Sequence, residues 1–276
     1  MVDPSKKAAL GIGNAAKNHE IYVVPGLQRG LLALEAIATA GEPLAPADIA
    51  RRIGVSRSSV FRLIYTLRHM RFLELARDGV RFTLGPRVLN MGFAYLASMD
   101  IVELARPELE ILRDRTKVST HLAVRDGQDI LYLCCVQTRS GFLSTINVGA
   151  RFAAYATPMG WLLLGDLSPR DIAYLYRRQR MHALTKQTPR DIPTLVERVD
   201  EAANRGYVIS RGVIESGGSS IAAPVRGRDG KVAAAIDVAG PDSAFDLARL
   251  EGSYLAEVRE TADRISARLG YVSESV

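Results

Sequence analysis

The sequence predicts an α+β protein in which an N-terminal winged helix-turn-helix is joined by a linker helix to a domain with an antiparallel sheet. Three observations predict this class. Two short helical patterns meet at Gly54, a hairpin signal follows at Asp78-Gly79, and later alternating apolar runs are separated by helical segments. The expected regions are a disordered tail at 1–20, the winged helix-turn-helix at 21–85, the linker helix at 86–100 and the sheet domain at 101–276.

The composition and the charge indicate a two-domain globular protein. Of the 276 residues, 47% are hydrophobic and 24% are charged, with a net charge of +6. Residues 1–86 carry 12 Lys and Arg against 7 Asp and Glu, whereas residues 87–276 carry 24 against 23. This asymmetry predicts that the first third meets phosphate, although a random fluctuation of surface charge would give the same imbalance.

The N-terminal stretch does not have the pattern of a targeting segment. Gly11, Gly13 and Asn14 break the apolar run between its lysines, so we expect neither a signal peptide nor a membrane span there. We therefore expect a cytoplasmic protein without a membrane partner.

The first ordered helix is predicted from GLQRGLLALEAIATAG. This run places Leu27, Leu31, Leu34 and Ile37 on one face and ends near Gly41. That face is expected to pack against the rest of the N-terminal domain.

Two helices with the spacing of a helix-turn-helix follow, at Ala47–Arg52 and Ser56–Met70. Gly54 lies between them, where a sharp turn needs a permissive backbone. In the second helix, four apolar side chains recur at three-and-four spacing and predict a buried face. These are Val60, Leu63, Ile64 and Leu67.

The opposite face of the second helix carries groups suited to DNA. Ser58, Arg62 and Tyr65 point away from the apolar stripe, and guanidinium and hydroxyl groups can contact base edges and phosphates. Ser56 is expected to cap the helix, and the free N–H groups of its first turn suit a phosphate. The predicted DNA-binding residues are Gln28, Arg29, Ser56, Arg57, Ser58, Ser59, Arg62, Tyr65, Arg77 and Arg81.

The run FLELARDGVRFTLG predicts a two-stranded wing that turns at Asp78-Gly79. Arg77 and Arg81 flank its tip, within reach of the DNA backbone or minor groove. Two other interpretations stay open at this point. One is a small helical bundle with a solvated basic face, and the other is a winged helix that contacts only protein or RNA.

A linker helix is predicted from Pro86 to Met99, with apolar side chains spread widely enough to bury against more than one surface. A second helix, Ile101–Thr116, is expected to be capped by Asp100 and to kink or break at Pro107. From their position, these helices are expected to carry dimer contacts and the signal between domains.

The remaining two thirds alternate between hairpin and helix patterns. Hairpins are predicted around Asp126-Gly127 and Asp229-Gly230, and FLSTINVG is a further alternating run. An antiparallel sheet surrounded by helices is typical of a sensor domain. The predicted helices are Pro158–Gly165, Pro169–Gln179, Ile192–Arg205 and Asp246–Leu269.

The two cysteines raise an enzymatic alternative. Cys134 and Cys135 are neighbours on opposite faces of a predicted strand, which disfavours a disulfide between them. A cysteine hydrolase would need one of them near His121 or His182. The chain has no nucleophile elbow, phosphate loop, zinc spacing or dinucleotide fingerprint, so we expect no catalytic site, metal or cofactor.

The chain resembles the IclR family of bacterial transcriptional regulators from about Val24 to Leu269. The motifs that carry the resemblance are LAPADIARRIGVSRSSVFRLIYTL, THLAVRDGQDILYL, YATPMGWLLLG and RGYVISRGVIESGGSSIAAPVRGRDGKVAAAIDVAG. The resemblance implies a GAF-like effector-binding domain that binds a small organic acid, and a homodimer or homotetramer on a near-palindromic operator. VGARFAAYATPMG is similar to the subgroup that controls catabolism of aromatic acids such as protocatechuate and 4-hydroxybenzoate. Repression is slightly favoured over activation.

Four regions of this sequence match the effector pocket of the family, with departures in detail. Ser220 stands where many members have cysteine and Ser210 where an acidic residue is common, while Asp237 and Ala239 replace frequent serines. These departures argue against a glyoxylate-like ligand. The predicted effector-binding residues are Leu143, Ile146, Tyr155, Thr157, Pro158, Met159, Gly160, Ser210, Ser219, Ser220, Asp237 and Ala239.

An acid buried in such a pocket needs hydroxyl groups, N–H groups or an arginine. Thr157 and the start of the Pro158 helix are expected to supply donors, Trp161 is a further apolar wall, and Arg151 and Arg211 are possible charge partners. Core packing or surface exposure explains each of these residues equally well.

Overall fold

The computed structural model describes residues 22–97, 100–138 and 146–272, and the chain forms two compact units that divide between Tyr95 and Leu96. The tail predicted at 1–20 lies outside the described residues. Among the described helices, none is by itself long and apolar enough to cross a membrane. The consecutive helices Pro86–Tyr95 and Asp100–Thr116 pass that test only when they are taken together as a broken pair.

From residue 22 onward, the N-terminal unit contains three helices and a two-stranded wing, after which the chain continues as a fourth helix. The elements are α1 (Pro25–Ala40), α2 (Pro46–Ile53), α3 (Arg57–His69), β1 (Leu73–Leu75), β2 (Phe82–Leu84) and α4 (Pro86–Ala97). Strands β1 and β2 pair in antiparallel register, with Leu73 opposite Leu84. One small core holds the unit together, formed by Ala33, Ile37, Leu44, Ile49, Ala50, Val60, Ile64, Leu73 and Phe82.

The predicted turn between the two helices of the helix-turn-helix is confirmed. Gly54 ends α2 with φ at 67°, in the left-handed region that side chains other than glycine rarely adopt. The N–H of the next residue, Val55, donates to the carbonyl of Ala50 at 3.0 Å. The glycine therefore sets the direction in which α3 leaves the turn.

The buried face of α1 differs from the prediction. Ile37 is buried and Leu34 partly buried as predicted, whereas Leu27 and Leu31 are 63% and 52% exposed and Gly30 and Ala33 are buried instead. Residues 30, 33 and 37 follow the same helical spacing as the leucines, so the periodicity allowed two stripes. The size of the apolar side chains therefore does not indicate which of the two stripes is buried.

The apolar side chains of α4 are exposed on the single chain. Leu89, Met91 and Phe93 are each more than half exposed, and Tyr95 is 50% exposed. Within the described residues, α4 thus presents an exposed apolar surface, and the dimer contacts expected of a linker helix stay a prediction.

The C-terminal unit is an antiparallel sheet with helices on both faces. Its elements are α5 (Asp100–Thr116), β3 (Thr120–Asp126), β4 (Asp129–Val136), β5 (Arg151–Ala153), α6 (Pro158–Leu164), α7 (Pro169–Tyr176), α8 (Ile192–Arg205), β6 (Val208–Arg211), β7 (Gly218–Arg226), β8 (Val232–Pro241) and α9 (Leu255–Arg268).

The six strands lie in the order β5-β4-β3-β8-β7-β6, and every neighbouring pair is antiparallel. Helices α5 and α9 pack on one face over a core that includes Leu109, Leu122 and Ile236. Helices α6, α7 and α8 belong to a second core on the other face, which includes Tyr132 and Trp161. The two predicted hairpins are β3–β4 and β7–β8, which confirms the α+β class.

Two strand predictions in this unit need correction. Ile146–Gly149, the described part of FLSTINVG, is loop and turn, and the edge strand is Arg151–Ala153 instead. Strand Val208–Arg211 was not predicted, although it pairs with four residues of β7. Short edge strands carry little periodic signal, and their pairing depends on the neighbouring strand.

Two helix predictions also need correction. The helix predicted over Asp246–Leu269 is interrupted, because Gly252 adopts the non-helical angles φ −103° and ψ −109° and the α-helix begins only at Leu255. Helix α5 continues through Pro107 without a break, and the kink expected as the other possibility there stays a prediction. Pro107 is exposed, and its missing N–H removes one hydrogen bond from a helix that is anchored elsewhere by buried side chains.

Candidate DNA-binding surface and ligand cavity

The start of α3 is capped as the sequence predicts. The Ser56 hydroxyl accepts a hydrogen bond from the backbone N–H of Ser59 at 3.3 Å and lies 3.1 Å from the hydroxyls of Ser58 and Ser59. This cap fixes the first turn of the helix at the position where the side chains predicted to contact DNA begin.

The outward face of α3 is accessible along its length. Ser58, Arg62 and Tyr65 are exposed, and Tyr65 is 76% exposed. Among the described residues, neither Arg57 nor Arg62 has an ion-pair partner for its guanidinium group. Both guanidinium groups can therefore meet a phosphate or a base edge without breaking a contact.

Arg81 forms an ion pair within the wing. The guanidinium of Arg81 contacts the carboxylate of Asp78, which also accepts the backbone N–H groups of Val80 and Arg81 at 3.0 Å each. These hydrogen bonds lower the pKa of Asp78 well below its ordinary value. Arg77 is exposed at the same tip, and Gln28 and Arg29 are exposed near the start of α1.

A cavity of about 650 Å³ lies in the C-terminal unit, on the face of the sheet that also packs against α6. We call it the ligand cavity.

The floor of the ligand cavity crosses four adjacent strands, with His121 on β3, Ala239 on β8, Ser220 on β7 and Ser210 on β6. Its walls are apolar and are formed by Ile146, Phe152, Leu184, Val213 and Ile214. Its rim is polar and includes Lys117, Ser119, Gln137, Thr138, Glu215 and Ser243.

Serine hydroxyls line one end of the cavity floor. The hydroxyls of Ser210 and Ser220 are 3.0 Å apart on paired strands. The neighbouring Ser219 donates to the carboxylate of Asp242, which also pairs with Arg211 at 3.3 Å. Two contacts lower the pKa of Asp242. The hydrogen bond from Ser219 has the larger effect, and the contact with Arg211 has a smaller one.

The other end of the floor contains a buried histidine and a buried carboxylate. His121 and Asp237 are 3% and 5% exposed, and the Nδ1 atom of His121 lies 2.7 Å from Oδ1 of Asp237. Since a carboxylate only accepts hydrogen bonds, Nδ1 carries the proton and donates it. The ring edge of His121 also packs against Tyr132, with centroids 5.7 Å apart.

Both units match family models. Residues 26–76 match the IclR helix-turn-helix domain, and residues 93–267 match the C-terminal domain of the bacterial transcriptional regulator IclR. The chain belongs to the IclR family. It is therefore a ligand-responsive DNA-binding regulator, in a family whose members are transcription regulators and not enzymes.

Several relatives of this IclR-family chain extend over most of its length. The Pca regulon regulatory protein of Pseudomonas putida is 30% identical over 230 residues, which are 83% of this chain and 78% of that protein. A transcriptional regulator from Rhodococcus sp. RHA1 has a crystal structure with a TM-score of 0.78 at 29% identity, covering 90% of this chain and 98% of that chain. An IclR homologue from Microbacterium hydrocarbonoxydans, crystallised with 4-hydroxybenzoate, has the same fold, with a TM-score of 0.77 at 24% identity over 88% of this chain and 98% of that one.

Five of the predicted effector-binding residues line the ligand cavity of this IclR-family regulator. They are Ile146, Ser210, Ser219, Ser220 and Ala239. Asp237 lies behind His121 and does not line the cavity itself. Leu143 lies outside the described residues.

The predicted residues around α6 are placed elsewhere. Tyr155, Thr157, Pro158, Met159 and Gly160 are all buried in the second core, and none of them lines the cavity. The Thr157 hydroxyl accepts the N–H of Gly160 at 3.0 Å, so the start of this helix is capped by its own chain. The anion site expected at this helix start stays a prediction, with the N–H of Gly160 already bonded to Thr157.

The aromatic and arginine candidates also have partners inside the protein. The indole N–H of Trp161 donates to the carbonyl of Tyr155 at 2.8 Å. Arg151 pairs with Asp126 at 2.7 Å, and Arg211 pairs with Asp242, so neither guanidinium lines the cavity. Ion pairs on the protein surface therefore explain the positions of both guanidinium groups.

Sequence reasoning missed most of the cavity lining. From the sequence, His121 is expected only as a partner for a nucleophilic cysteine, although a polar residue within the apolar strand THLAV is a signal of function. Lys117, Phe152, Leu184 and Glu215 have no such signal, because distant segments of the chain bring them together.

The environment of the two cysteines agrees with a non-enzymatic family. Burial raises the pKa of Cys134, and it raises the pKa of Cys135 to about 12. A cysteine nucleophile needs the opposite shift, because the thiolate is the reactive form. The described residues contain no cluster of three or more His, Cys, Asp or Glu side chains suited to a metal ion.

Proposed function

We propose that this IclR-family regulator represses catabolic genes in the cytoplasm, and that an aromatic or other small organic acid in the ligand cavity controls its binding to a near-palindromic operator. The observation that carries the proposal is the outward face of α3, where Ser58, Arg62 and Tyr65 are exposed on a capped and well-anchored recognition helix. Among the described residues of the N-terminal unit, none covers this face, so the face is available to enter a major groove.

Self-association follows from the need to read two half-sites. A dimer places two recognition helices in successive major grooves, about 34 Å or a multiple of that distance apart, which requires a near-palindrome. The exposed apolar surface of α4, including Leu89, Met91 and Phe93, supports a homodimer or homotetramer.

The chemistry of the cavity supports an organic acid. Apolar walls formed by Ile146, Phe152 and Val213 suit a ring or a short aliphatic chain, and the hydroxyls of Ser210 and Ser220 suit its polar end. The volume of about 650 Å³ lies in the range of small-molecule sites. The similarity to the Pca regulon regulatory protein, and the 4-hydroxybenzoate bound by a protein of the same fold, support an aromatic acid as the first probe.

Regulation requires that the acid bind the DNA-binding and DNA-free arrangements with different affinity. Coupling of about 1 to 3 kcal/mol is typical of such proteins and changes operator affinity by roughly 5- to 150-fold. Repression follows where the operator overlaps the promoter that the regulator controls.

The test is selection of bound duplexes from a random DNA pool by the purified full-length protein, followed by titration of the enriched duplex with aromatic and short aliphatic acids. We expect a near-palindrome to be enriched and at least one acid to shift its affinity. Absence of enrichment at low salt would contradict DNA reading by α3. Enrichment without any effect of the acids would leave a DNA-binding protein and overturn the proposed effector class.

A further inference from the structure

We propose that His121, oriented by Asp237, binds the carboxylate of the effector, and that binding is accompanied by uptake of a proton at Nε2 of His121. This inference rests on the proposed function, because it specifies how the same cavity recognises an acid. It makes His121 a ligand-binding residue and Asp237 a positioning residue that acts through it.

The location of His121 is the first argument. A carboxylate that leaves water for an apolar cavity needs a cationic or N–H partner. Among the described lining residues, the groups that can carry charge are Lys117, His121 and Glu215, and of these only His121 is buried. Lys117 and Glu215 are exposed at the rim, where water screens their charges.

The hydrogen bonding of His121 is the second argument. Asp237 occupies Nδ1 at 2.7 Å, which fixes the orientation of the ring. Within the described chain, Nε2 of His121 has no hydrogen-bond partner. A ring with one nitrogen bonded to a carboxylate and the other unoccupied at a cavity floor is prepared to bind a ligand atom.

The charges around His121 determine the direction of the proton transfer. Asp237 faces it from β8, and Tyr132 and Cys135 face it from β4. Burial raises the pKa of Tyr132 well above its ordinary value and that of Cys135 to about 12, so both remain neutral at neutral pH. Asp237 is therefore the acidic group that faces the ring, and an effector carboxylate on the other side of the ring favours the imidazolium form.

The proton balance follows from these charges. When the imidazole is neutral, Nε2 has a lone pair that repels a carboxylate oxygen. A proton taken from solvent converts Nε2 to a donor, and the site then contains one imidazolium between two carboxylates. Affinity for an acid should consequently fall as the pH rises above the range in which the unbound histidine holds its proton.

The experiment is calorimetric titration of the full-length protein with 4-hydroxybenzoate at about pH 7.5, in two buffers of different ionisation enthalpy, since histidine titrates near this range. The difference in heat gives the number of protons taken up. We expect uptake for 4-hydroxybenzoate and none for the neutral amide 4-hydroxybenzamide. Binding of 4-hydroxybenzoate to the wild-type protein without proton uptake would overturn the inference, and this result does not depend on any variant.

Two variants and one control variant test whether the proton is taken up at His121. His121→Asn should lower affinity for 4-hydroxybenzoate about tenfold or more and abolish proton uptake, because the charge-assisted bond is lost. Asp237→Asn keeps a hydrogen-bond acceptor for Nδ1 but removes the charge, so it should reduce proton uptake and shift the pH profile of binding to lower pH. The matched control is His182→Asn, an exposed histidine outside the cavity lining, which should behave like the wild type.

Operator binding in the same samples separates this inference from the proposed function. If 4-hydroxybenzoate releases the operator from the wild type and from His121→Asn at equal concentrations, the role of His121 is wrong while the acid effector stands. If 4-hydroxybenzoate neither binds the wild type nor shifts operator affinity, both the aromatic-acid effector and the role of His121 are wrong.

Discussion

Asp78 and Arg81 form an ion pair at the tip of the wing. The Asp78 carboxylate accepts hydrogen bonds from both the guanidinium and the backbone N–H of Arg81. In the unbound protein, this ion pair partly neutralises a side chain that the sequence assigns to DNA. The arginine therefore exchanges one anionic partner for another when it meets a phosphate. We therefore expect the wing to contribute less to electrostatic affinity for DNA than its two arginines suggest.

Substitution Asp78→Asn should increase affinity for all DNA sequences. Asparagine can still accept the N–H groups of Val80 and Arg81, so the turn is kept, but Arg81 is released for a phosphate. The logarithm of the binding constant should then fall more steeply with the logarithm of salt concentration, by about 0.9 for one added phosphate contact. Fluorescence anisotropy with operator and random duplexes over a salt series measures both effects.

Arg81→Ala provides the matched test of the same ion pair. It should lower affinity for operator and random DNA alike and flatten the salt dependence, because a backbone contact carries no sequence information. The double variant Asp78→Asn with Arg81→Ala should lose the gain of the single change. Retention of the gain in the double variant would show that the lost negative charge acts by itself and not through Arg81.

Arg62→Ala should weaken specific binding and relax sequence preference. Arg62 is exposed on the outward face of α3 without an ion-pair partner in the described chain, so its guanidinium is available for a base edge. We expect a loss of about 1 to 3 kcal/mol that is confined to one base pair of each half-site. Competition binding to operators with single base changes measures this loss.

The control for Arg62 is Arg51→Ala. Arg51 lies on α2 and pairs with Asp48 at 2.7 Å, so its removal changes the net charge equally without touching the recognition face. It should leave base preference unchanged. An equal loss on operator and random duplexes from Arg62→Ala would contradict its role in base recognition.

The helix-turn-helix was predictable because its signals are local. Gly54 allows the turn, Ser56 caps the next helix, and Val60 and Ile64 repeat at helical spacing within one short segment. The exposed face of α3 follows once the buried face is known. The buried stripe of α1 was not predictable in the same way, because Gly30 and Ala33 are small and their burial depends on what packs against them.

The cavity was predictable only in part, because its lining comes from distant segments. Ser210, Ser220 and Ala239 were expected through the resemblance to the family, and in the structure three paired strands align them. The pairing of β3 with β8, which brings His121 beside Asp237, joins residues more than a hundred positions apart. No pattern within one segment reports such a contact.

Thr157→Val should destabilise the C-terminal unit. Thr157 is 1% exposed, and its hydroxyl accepts the N–H of Gly160 at 3.0 Å. Valine has the same shape but cannot accept, so a buried N–H is left without a partner at a cost of about 1 to 3 kcal/mol. Denaturant unfolding of the variant should show a lower midpoint with an unchanged slope.

Thr157→Ser is the matched control for this position. Serine keeps the oxygen that caps the helix, so most of the stability should return. Both variants should bind an acid effector with unchanged affinity while they are folded, because Thr157 does not line the cavity. A loss of affinity in Thr157→Val without a loss of stability would assign this residue to the effector site after all.

Stability at alkaline pH should fall partly through Cys135. Burial raises the pKa of this thiol from 9.0 to about 12, so above about pH 9 the unfolded chain loses a proton that the folded chain retains. The stability contributed by this group is fully present below pH 9 and is lost as the pH rises toward about 12.

Cys135→Ser removes the ionisable thiol, and the free energy of unfolding of this variant should decrease less over this pH window than that of the wild type. Urea unfolding of both proteins across the window measures the difference, and the buried tyrosines Tyr132 and Tyr176 affect both proteins alike. Parallel pH profiles for the two proteins would contradict the raised pKa of Cys135.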